Sequence, residues 1–174
     1  DKWTFSTLEQ NSNKLARLLI QLGVKPNDRV LSCGQNSCWL VAMTNAVRKI
    51  GAVGVPLNYR LTQEEASYVV DNSDSVVVFT DAEFADLFAK IRHETPKVRE
   101  TLVFDGAALD GQKRLETLIA AIPGTPPELS GTPGEPMTMI YTSGTTGKPK
   151  GAVRSSLGNP QQSAALWNEI GYQA

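Results

Sequence analysis

Between Arg29 and Ile122, short β-branched or apolar runs alternate with stretches of helical periodicity, and that alternation constrains the fold more than any other feature of the chain. Arg29-Val30-Leu31-Ser32-Cys33 reads as a strand, and Trp39–Ile50 as a helix stopped by Gly51. Residues 52–56 read as a buried strand. Thr62 is placed to cap a helix running to about Val70, with Glu64 and Glu65 in a first turn that favours negative charge. Ser75–Thr80 is uninterrupted, β-branched and aromatic, the pattern of a strand covered on both faces. Residues 82–91 read as helical, Thr101–Phe104 as a strand and Lys113–Ile122 as a helix. Strands joined by helices imply parallel pairing, so the expected class is α/β, with parallel-sheet layers flanked by helices.

Ahead of this rhythm stands one more helix, over about residues 7–22. Ser6 and Glu9 are spaced as a capping box, with Ser6 as N-cap and Glu9 at the third helical position. Leu8, Leu15, Leu18, Leu19 and Leu22 recur on one face, Gly23 supplies a stop, and Pro26 lies just beyond. Residues 123–136 are of another kind. They hold Pro123, Pro126, Pro127, Pro133 and Pro136 with Gly124, Gly131 and Gly134, and read as a loop or linker. The strand Met137–Tyr141 then delivers the chain into Thr142-Ser143-Gly144-Thr145-Thr146-Gly147-Lys148-Pro149-Lys150-Gly151.

That loop is where the chemistry is concentrated. Gly144 and Gly147 let the backbone approach a ligand closely. Thr142, Ser143, Thr145 and Thr146 bring four hydroxyls, successive backbone N–H groups in such a turn can form an anion-binding nest, and Lys148 and Lys150 add positive charge. Pro149 fixes its own φ and biases Lys148 toward an extended backbone. Composition alone does not separate this set from a plain Gly/Ser/Thr turn. Two features favour phosphate handling: hydroxyls and lysines occur together, and the loop directly follows an apolar strand, where ligand sites of α/β folds commonly lie. It is not a Walker A loop, because two residues separate Gly144 from Gly147-Lys148 and Pro149 stands where Ser or Thr is required.

Composition limits the remaining classes. With 174 residues, 41% hydrophobic and 20% charged, the chain can bury a substantial core. A net charge of −1 gives no electrostatic case for nucleic acid. No apolar run reaches the roughly 18 residues of a membrane-spanning helix. The opening Asp1-Lys2-Trp3-Thr4-Phe5 is not the apolar core of a signal peptide, and Cys33 and Cys38 fit no zinc or redox spacing. A reducing, cytoplasmic setting is expected.

Residues 141–151 resemble the signature of the adenylate-forming (AMP-binding) superfamily, whose members include acyl-CoA synthetases, peptide-synthetase adenylation domains and luciferases. Thr4–Leu8, Leu22–Val30, Gly51–Asn58 and Arg60–Thr62 are similar to other blocks of that family, in the family's order, so the likeness covers essentially the whole chain. The resemblance implies the partial N-terminal domain of an acyl-CoA synthetase-like fold: residues 1–122 an α/β subdomain, 123–136 a linker, and 137–174 the strand, phosphate loop and following segment. It also implies a reaction in two halves. A carboxylate, with a fatty acid the first expectation, attacks the α-phosphate of ATP to give an acyl-adenylate and pyrophosphate. Coenzyme A then displaces AMP. By resemblance Thr142, Ser143, Gly144, Thr145, Thr146 and Gly147 contact phosphate, Lys150 assists electrostatically and Lys148 is a mobile helper.

The same resemblance places the Mg2+ ligand, the adenine pocket, most of the acyl tunnel and the adenylation lysine in sequence beyond this chain. No catalytic residue is assigned within it, and it is expected to be inactive alone. Partners are a small-molecule carboxylate, ATP and CoA. Adenylation of an aryl or amino acid, and a non-catalytic nucleotide-binding or interaction module that keeps the fold, are the alternatives. Ser156 stands where many acyl-CoA synthetases carry a histidine near the acyl pocket, and that role does not transfer.

Other residues carry plainer readings. His93, the one histidine, is read as a solvated surface group, and one such residue supports no Ser-His-Asp set. Cys33 and Cys38 are read as packing residues, and Trp39 and Trp167 as core or interface. Glu64, Glu65, Glu83 and Asp86 are read as helix-surface charges and Arg154 as solvent-facing, with an anion contact its alternative.

Overall fold

Thr4, and not Ser6, opens the first helix. The computed structural model describes residues 2–129, 137–142 and 148–155, and α1 spans Phe5–Gln21 with Thr4 in an extended conformation and its hydroxyl accepting from Thr7 N. The expected Ser6–Glu9 box does not form because Ser6 already lies within the helix that Thr4 caps, and the Glu9 carboxylate instead meets Lys49 Nζ at 2.8 Å. Gly23 follows the helix at φ +75°, where a Cβ would be strained, and Val24 N returns to Leu19 O.

Next come β1 (Arg29–Cys33), α2 (Cys38–Lys49, capped by Ser37), β2 (Val53–Leu57) and α3 (Gln63–Asn72). The capping box that α1 lacks is complete in α3. Thr62 Oγ1 accepts from Glu65 N, and the Glu65 carboxylate accepts from Thr62 N at 2.9 Å. After it, β3 (Ser75–Asp81) leads through a 3₁₀ turn at Ala82–Phe84 into the short α4 (Ala85–Lys90), and β4 follows at Glu100–Phe104.

The helix expected over Lys113–Ile122 is shorter. Lys113 and Arg114 form an edge strand, β5, paired with Leu102 and Val103, and α5 covers only Leu115–Ile119. The exposed backbone edge of β4 competes successfully for these two residues, and Lys113 Nζ fixes the register by meeting Glu100 at 2.6 Å. Then β6 runs from Met137 to Thr142. A strand absent from the sequence reading, β7 (Lys150–Ser155), turns back along it.

The seven strands form one sheet in the order β5-β4-β3-β1-β2-β6-β7. All pairings are parallel except β6–β7, which is antiparallel. Both faces of the parallel part are covered. On one face α1, α2 and α5 bury Leu15, Leu19, Met43 and Leu115 against Val77, Phe79, Leu102 and Phe104. On the other, α3 and α4 bury Val69, Val70 and Phe88 against Leu31, Val55 and Val78. Strand residues therefore alternate between two cores, which is why the run Ser75–Thr80 has no polar face. At the centre of the larger core, Phe79 and Phe104 stack with centroids 4.7 Å apart. Cys33 is buried, and burial pushes its thiol pKa up to about 12.

The first part of the Pro/Gly segment is fastened to α1. Asn13 Nδ2 donates to Gly124 O at 2.9 Å, and Arg17 donates to the carbonyls of Thr125 and Pro126. A Cβ on Gly124 would lie 3.0 Å from Gln10 Cβ, so glycine permits the close approach.

Candidate functional site

The sheet aims its site from one edge. Strands β1 to β4 and β6 run parallel, so their carboxyl ends share an edge, the usual ligand edge of an α/β sheet. The chain leaves that edge at Thr142 and returns at Lys150, the last register pair of the β6–β7 ladder. The segment read in the sequence as a phosphate loop therefore connects the two antiparallel strands β6 and β7. Thr142 and Lys150 are both exposed at its mouth, and Lys148 is exposed beside them. Ser143, Gly144, Thr145, Thr146 and Gly147 lie outside the described residues, as do Ser156 and Trp167.

Beside the hairpin is a cleft, and the sequence explains why it opens. The β2–β6 ladder has two pairs, Val53↔Met137 and Gly54↔Thr138. It stops short of Pro56, which has no backbone donor to offer. Beyond that point Pro56, Leu57 and Asn58 on one side, and Ile140, Tyr141 and Thr142 on the other, line a space of ≈ 510 Å³ that extends to Pro149 of the loop. Its third side is α3, through Glu65 and Val69.

Sequence reasoning missed the contribution of α3. Tyr141 Oη donates to Asn72 Oδ1 at 2.8 Å, and Lys148 Nζ lies 4.9 Å from the centroid of the Tyr68 ring. The expected mobile helper is thus held against an aromatic face, a cation–π geometry. The ring of Tyr141 reaches α3 because Gly151 lies opposite it: a Cβ there would come within 3.0 Å of Tyr141 Cζ. Burial first, then the neighbouring Tyr68, raises the Tyr141 pKa, so its hydroxyl stays protonated and a donor. The one sequence signal for this arrangement was the four-residue spacing of Tyr68 and Asn72, which puts them on one helical face.

The remaining candidates fall where their chemistry suggests. His93 is exposed, with its side chain at 77%. Trp39 packs edge-on against Trp3 at 4.8 Å and donates to Asp105. Arg154 is exposed on β7. Glu65 is committed to its cap, and the hydrogen bonds from Thr62 hold its carboxyl below the usual range. Among the described residues, no group of three or more His, Cys, Asp or Glu side chains is placed to hold a metal ion. No helix among them is long and apolar enough to cross a membrane. What the hairpin end offers chemically is two ammonium groups and a threonine hydroxyl around one loop, a set suited to anionic oxygens.

Comparison with known proteins gives this geometry its context. Over residues 1–173 the chain matches the family described as AMP-binding enzyme. It is 34% identical over 157 residues to a 3-oxocholest-4-en-26-oate–CoA ligase of Rhodococcus rhodochrous, covering 86% of this chain and 28% of that protein. To the fatty acid–[acyl-carrier-protein] ligase ScoC of Streptomyces coeruleorubidus it is also 34% identical, covering 86% of this chain and 27% of the relative. Among solved structures, a putative long-chain-fatty-acid CoA ligase from Rhodopseudomonas palustris superposes with a TM-score of 0.82 at 25% identity, over 97% of this chain and 42% of that one. The anthranilate CoA ligase AuaEII, solved with anthranoyl-AMP, also gives 0.82 at 26% identity, over 89% of this chain and 30% of that one. The chain thus spans under a third of the curated relatives it matches, and the family match extends over residues 1–173 of it. It belongs to the AMP-binding enzyme family.

Proposed function

We propose that the protein bearing this chain is an ATP-dependent acyl-CoA synthetase whose phosphate loop is the β6–β7 hairpin. The observation that carries the reading is the placement of Thr142, Lys148 and Lys150 at one hairpin end, on the carboxyl edge of a sheet whose relatives are CoA ligases. In the first half-reaction, a carboxylate oxygen attacks the α-phosphorus of ATP. The bond to the bridging oxygen of pyrophosphate breaks, giving acyl-adenylate. Charge moves onto the departing pyrophosphate, so the loop's task is to hold and stabilise its β- and γ-phosphate oxygens. Thr142, Ser143, Thr145 and Thr146 would donate hydroxyls, Gly144 and Gly147 would bring backbone N–H groups close, and Lys148 and Lys150 would supply positive charge. In the second half-reaction, the CoA thiol loses its proton and attacks the acyl carbon, and AMP leaves.

The Mg2+ ion implied by this chemistry has no fitting ligand cluster among the described residues. A fatty acid is the proposed substrate class, supported by relatives named medium/long-chain-fatty-acid–CoA/3-oxocholest-4-en-26-oate–CoA ligases. A cytoplasmic setting belongs to the same reading. An aryl acid is a second reading, favoured by the fold's likeness to the anthranilate CoA ligase.

The test is carboxylate-dependent ATP–pyrophosphate exchange by the full-length protein, followed by AMP release with CoA or with a carrier-protein thiol. Exchange with fatty acids and release with CoA is the expected result. Exchange with benzoates alone selects the aryl reading. Release only with a carrier protein selects a carrier-linked ligase. Tight ATP binding without AMP formation would reject the enzyme.

A further inference from the structure

We propose that the Tyr68/Asn72 face of α3 is a positioning clamp for the phosphate loop, holding one residue on each of its two stems. The proposal rests on the loop assignment made above and adds residues to it. Tyr68 and Asn72 are four apart in α3 and project from one helical face. Asn72 accepts the hydroxyl proton of Tyr141, the residue just before Thr142, at 2.8 Å. Tyr68 places its ring 4.9 Å from Nζ of Lys148, the residue two before Lys150. The incoming and outgoing ends of the loop are thus fixed to a single rigid element, itself anchored by the Thr62–Glu65 capping box and by Val69 and Val70 in the core.

The physical need for such a clamp follows from the loop's composition. A Gly- and hydroxyl-rich loop has much backbone freedom to lose when it wraps a phosphate. Fixing its ends before the ligand arrives reduces that cost, which is the general benefit of preorganisation. The hairpin's own ladder does part of this but ends at the pair Thr142↔Lys150. Between the members of that pair in sequence, Lys148 is the one described residue with a charged side chain. The Tyr68 ring, unlike a carboxylate, orients that side chain without forming an ion pair, which leaves the charge available to an incoming anion. A carboxylate at position 68 would instead form an ion pair that phosphate would have to break.

The test separates the clamp from the loop assignment. Wild-type full-length protein and the variants Tyr68→Leu and Tyr68→Phe are compared, with Lys148 assigned by its loss in Lys148→Arg. The first readout is independent of activity. In the wild type, the ε-methylene resonance of Lys148 is shifted upfield by the ring current, stays shifted in Tyr68→Phe and moves to the ordinary lysine position in Tyr68→Leu. An unshifted resonance in the wild type overturns the clamp, whether or not either Tyr68 variant folds. The second readout is ATP–pyrophosphate exchange. Tyr68→Leu raises KM for ATP about two- to fivefold, the range expected for one exposed cation–π contact. Tyr68→Phe matches the wild type, and thiolysis of preformed acyl-adenylate is unchanged in both. Equal loss in Leu and Phe, or equal loss in both half-reactions, overturns the positioning role. If the wild type shows no exchange at all, the proposed function falls, and the lysine resonance alone decides the clamp.

Discussion

Tyr141 and Asn72, 69 residues apart in sequence, share a hydrogen bond of 2.8 Å that ties the last turn of α3 to the strand entering the phosphate loop. Both groups are partly solvated, so its loss costs less than that of a buried bond. Tyr141→Phe is expected to destabilise the fold by about 0.5–1 kcal/mol, read as a lower urea midpoint at unchanged slope. No change would place the donor in water rather than on Asn72.

The loop hydroxyls are expected to act on one half-reaction. In the full-length protein, Thr145→Ala combined with Thr146→Ala should lower adenylate formation by about tenfold or more, since removing a single preorganised donor to developing charge costs about 10²–10³ elsewhere. Thiolysis of preformed acyl-adenylate should be much less affected. Single-turnover measurement of each half-reaction decides it, and equal loss in both contradicts a pyrophosphate-side role.

Two aspartates at opposite ends of β3, Asp74 just before it and Asp81 its last residue, should give pH slopes of opposite sign. Hydrogen bonding from Lys97, then its charge and that of Arg29, holds the Asp74 carboxyl below its ordinary range. The unfolded chain binds that proton more readily. Asp74 therefore adds stability above about pH 4, lost as pH falls through the depressed folded value. Asp81 is raised, chiefly by burial, against the pull of N–H donors from Gln35 and Phe84. Its folded form holds the proton more tightly, so its contribution is present at low pH and declines as pH rises past about 4. The melting-temperature difference between wild type and Asp74→Asn should grow from pH 3 to pH 6, and that for Asp81→Asn should shrink. Parallel slopes would refute the assignment. Because Asp74 is half exposed, its effect should also fade with salt.

Packing and capping should differ severalfold. Phe79 is fully buried and stacked on Phe104. Phe79→Ala is expected to cost about 3–5 kcal/mol, from lost burial and the cavity left behind. Thr62→Ala removes one cap from α3 and should cost about 1 kcal/mol. Chemical denaturation of both variants tests the ranking, and comparable losses would mean that the core relaxes around the void.

Legibility in the sequence followed local information. The Thr62 cap, the two-sided strand at Ser75–Thr80 and the glycine stop after α1 were readable because each depends on neighbours within a turn or two. The start of α1 was misplaced by two residues because two hydroxyl residues, Thr4 and Ser6, offer themselves as caps, and Thr4 takes the role. Lys113–Arg114 turned from helix to strand because an edge of β4 was available, which no local pattern encodes. Strand β7 was hidden by its own composition, since Lys150-Gly151-Ala152 lacks the β-branched signature and pairs through its backbone. For the site, the loop's composition was readable in the sequence, and Lys148 and Lys150 are exposed where the chain enters β7. Its support by Tyr68 and Asn72 could not be read, because nothing in the sequence says that α3 lies beside the hairpin.

The two-pair seam between β2 and β6 also bears on the order in which the chain assembles. The hairpin closes over a short loop and can form within microseconds. Its junction to β2 must bring together Val53 and Met137 across most of the sheet's sequence, for only two register pairs. Such a junction returns little for the closure entropy it costs, and it should form after β1 to β4 have collapsed between their helices. It should also be the first to open. Amides of Met137 and Thr138 are expected to exchange with solvent faster than those of Val30, Val77 and Val78, while the central sheet stays intact. Uniform protection would mean that hairpin and sheet fold as one cooperative unit.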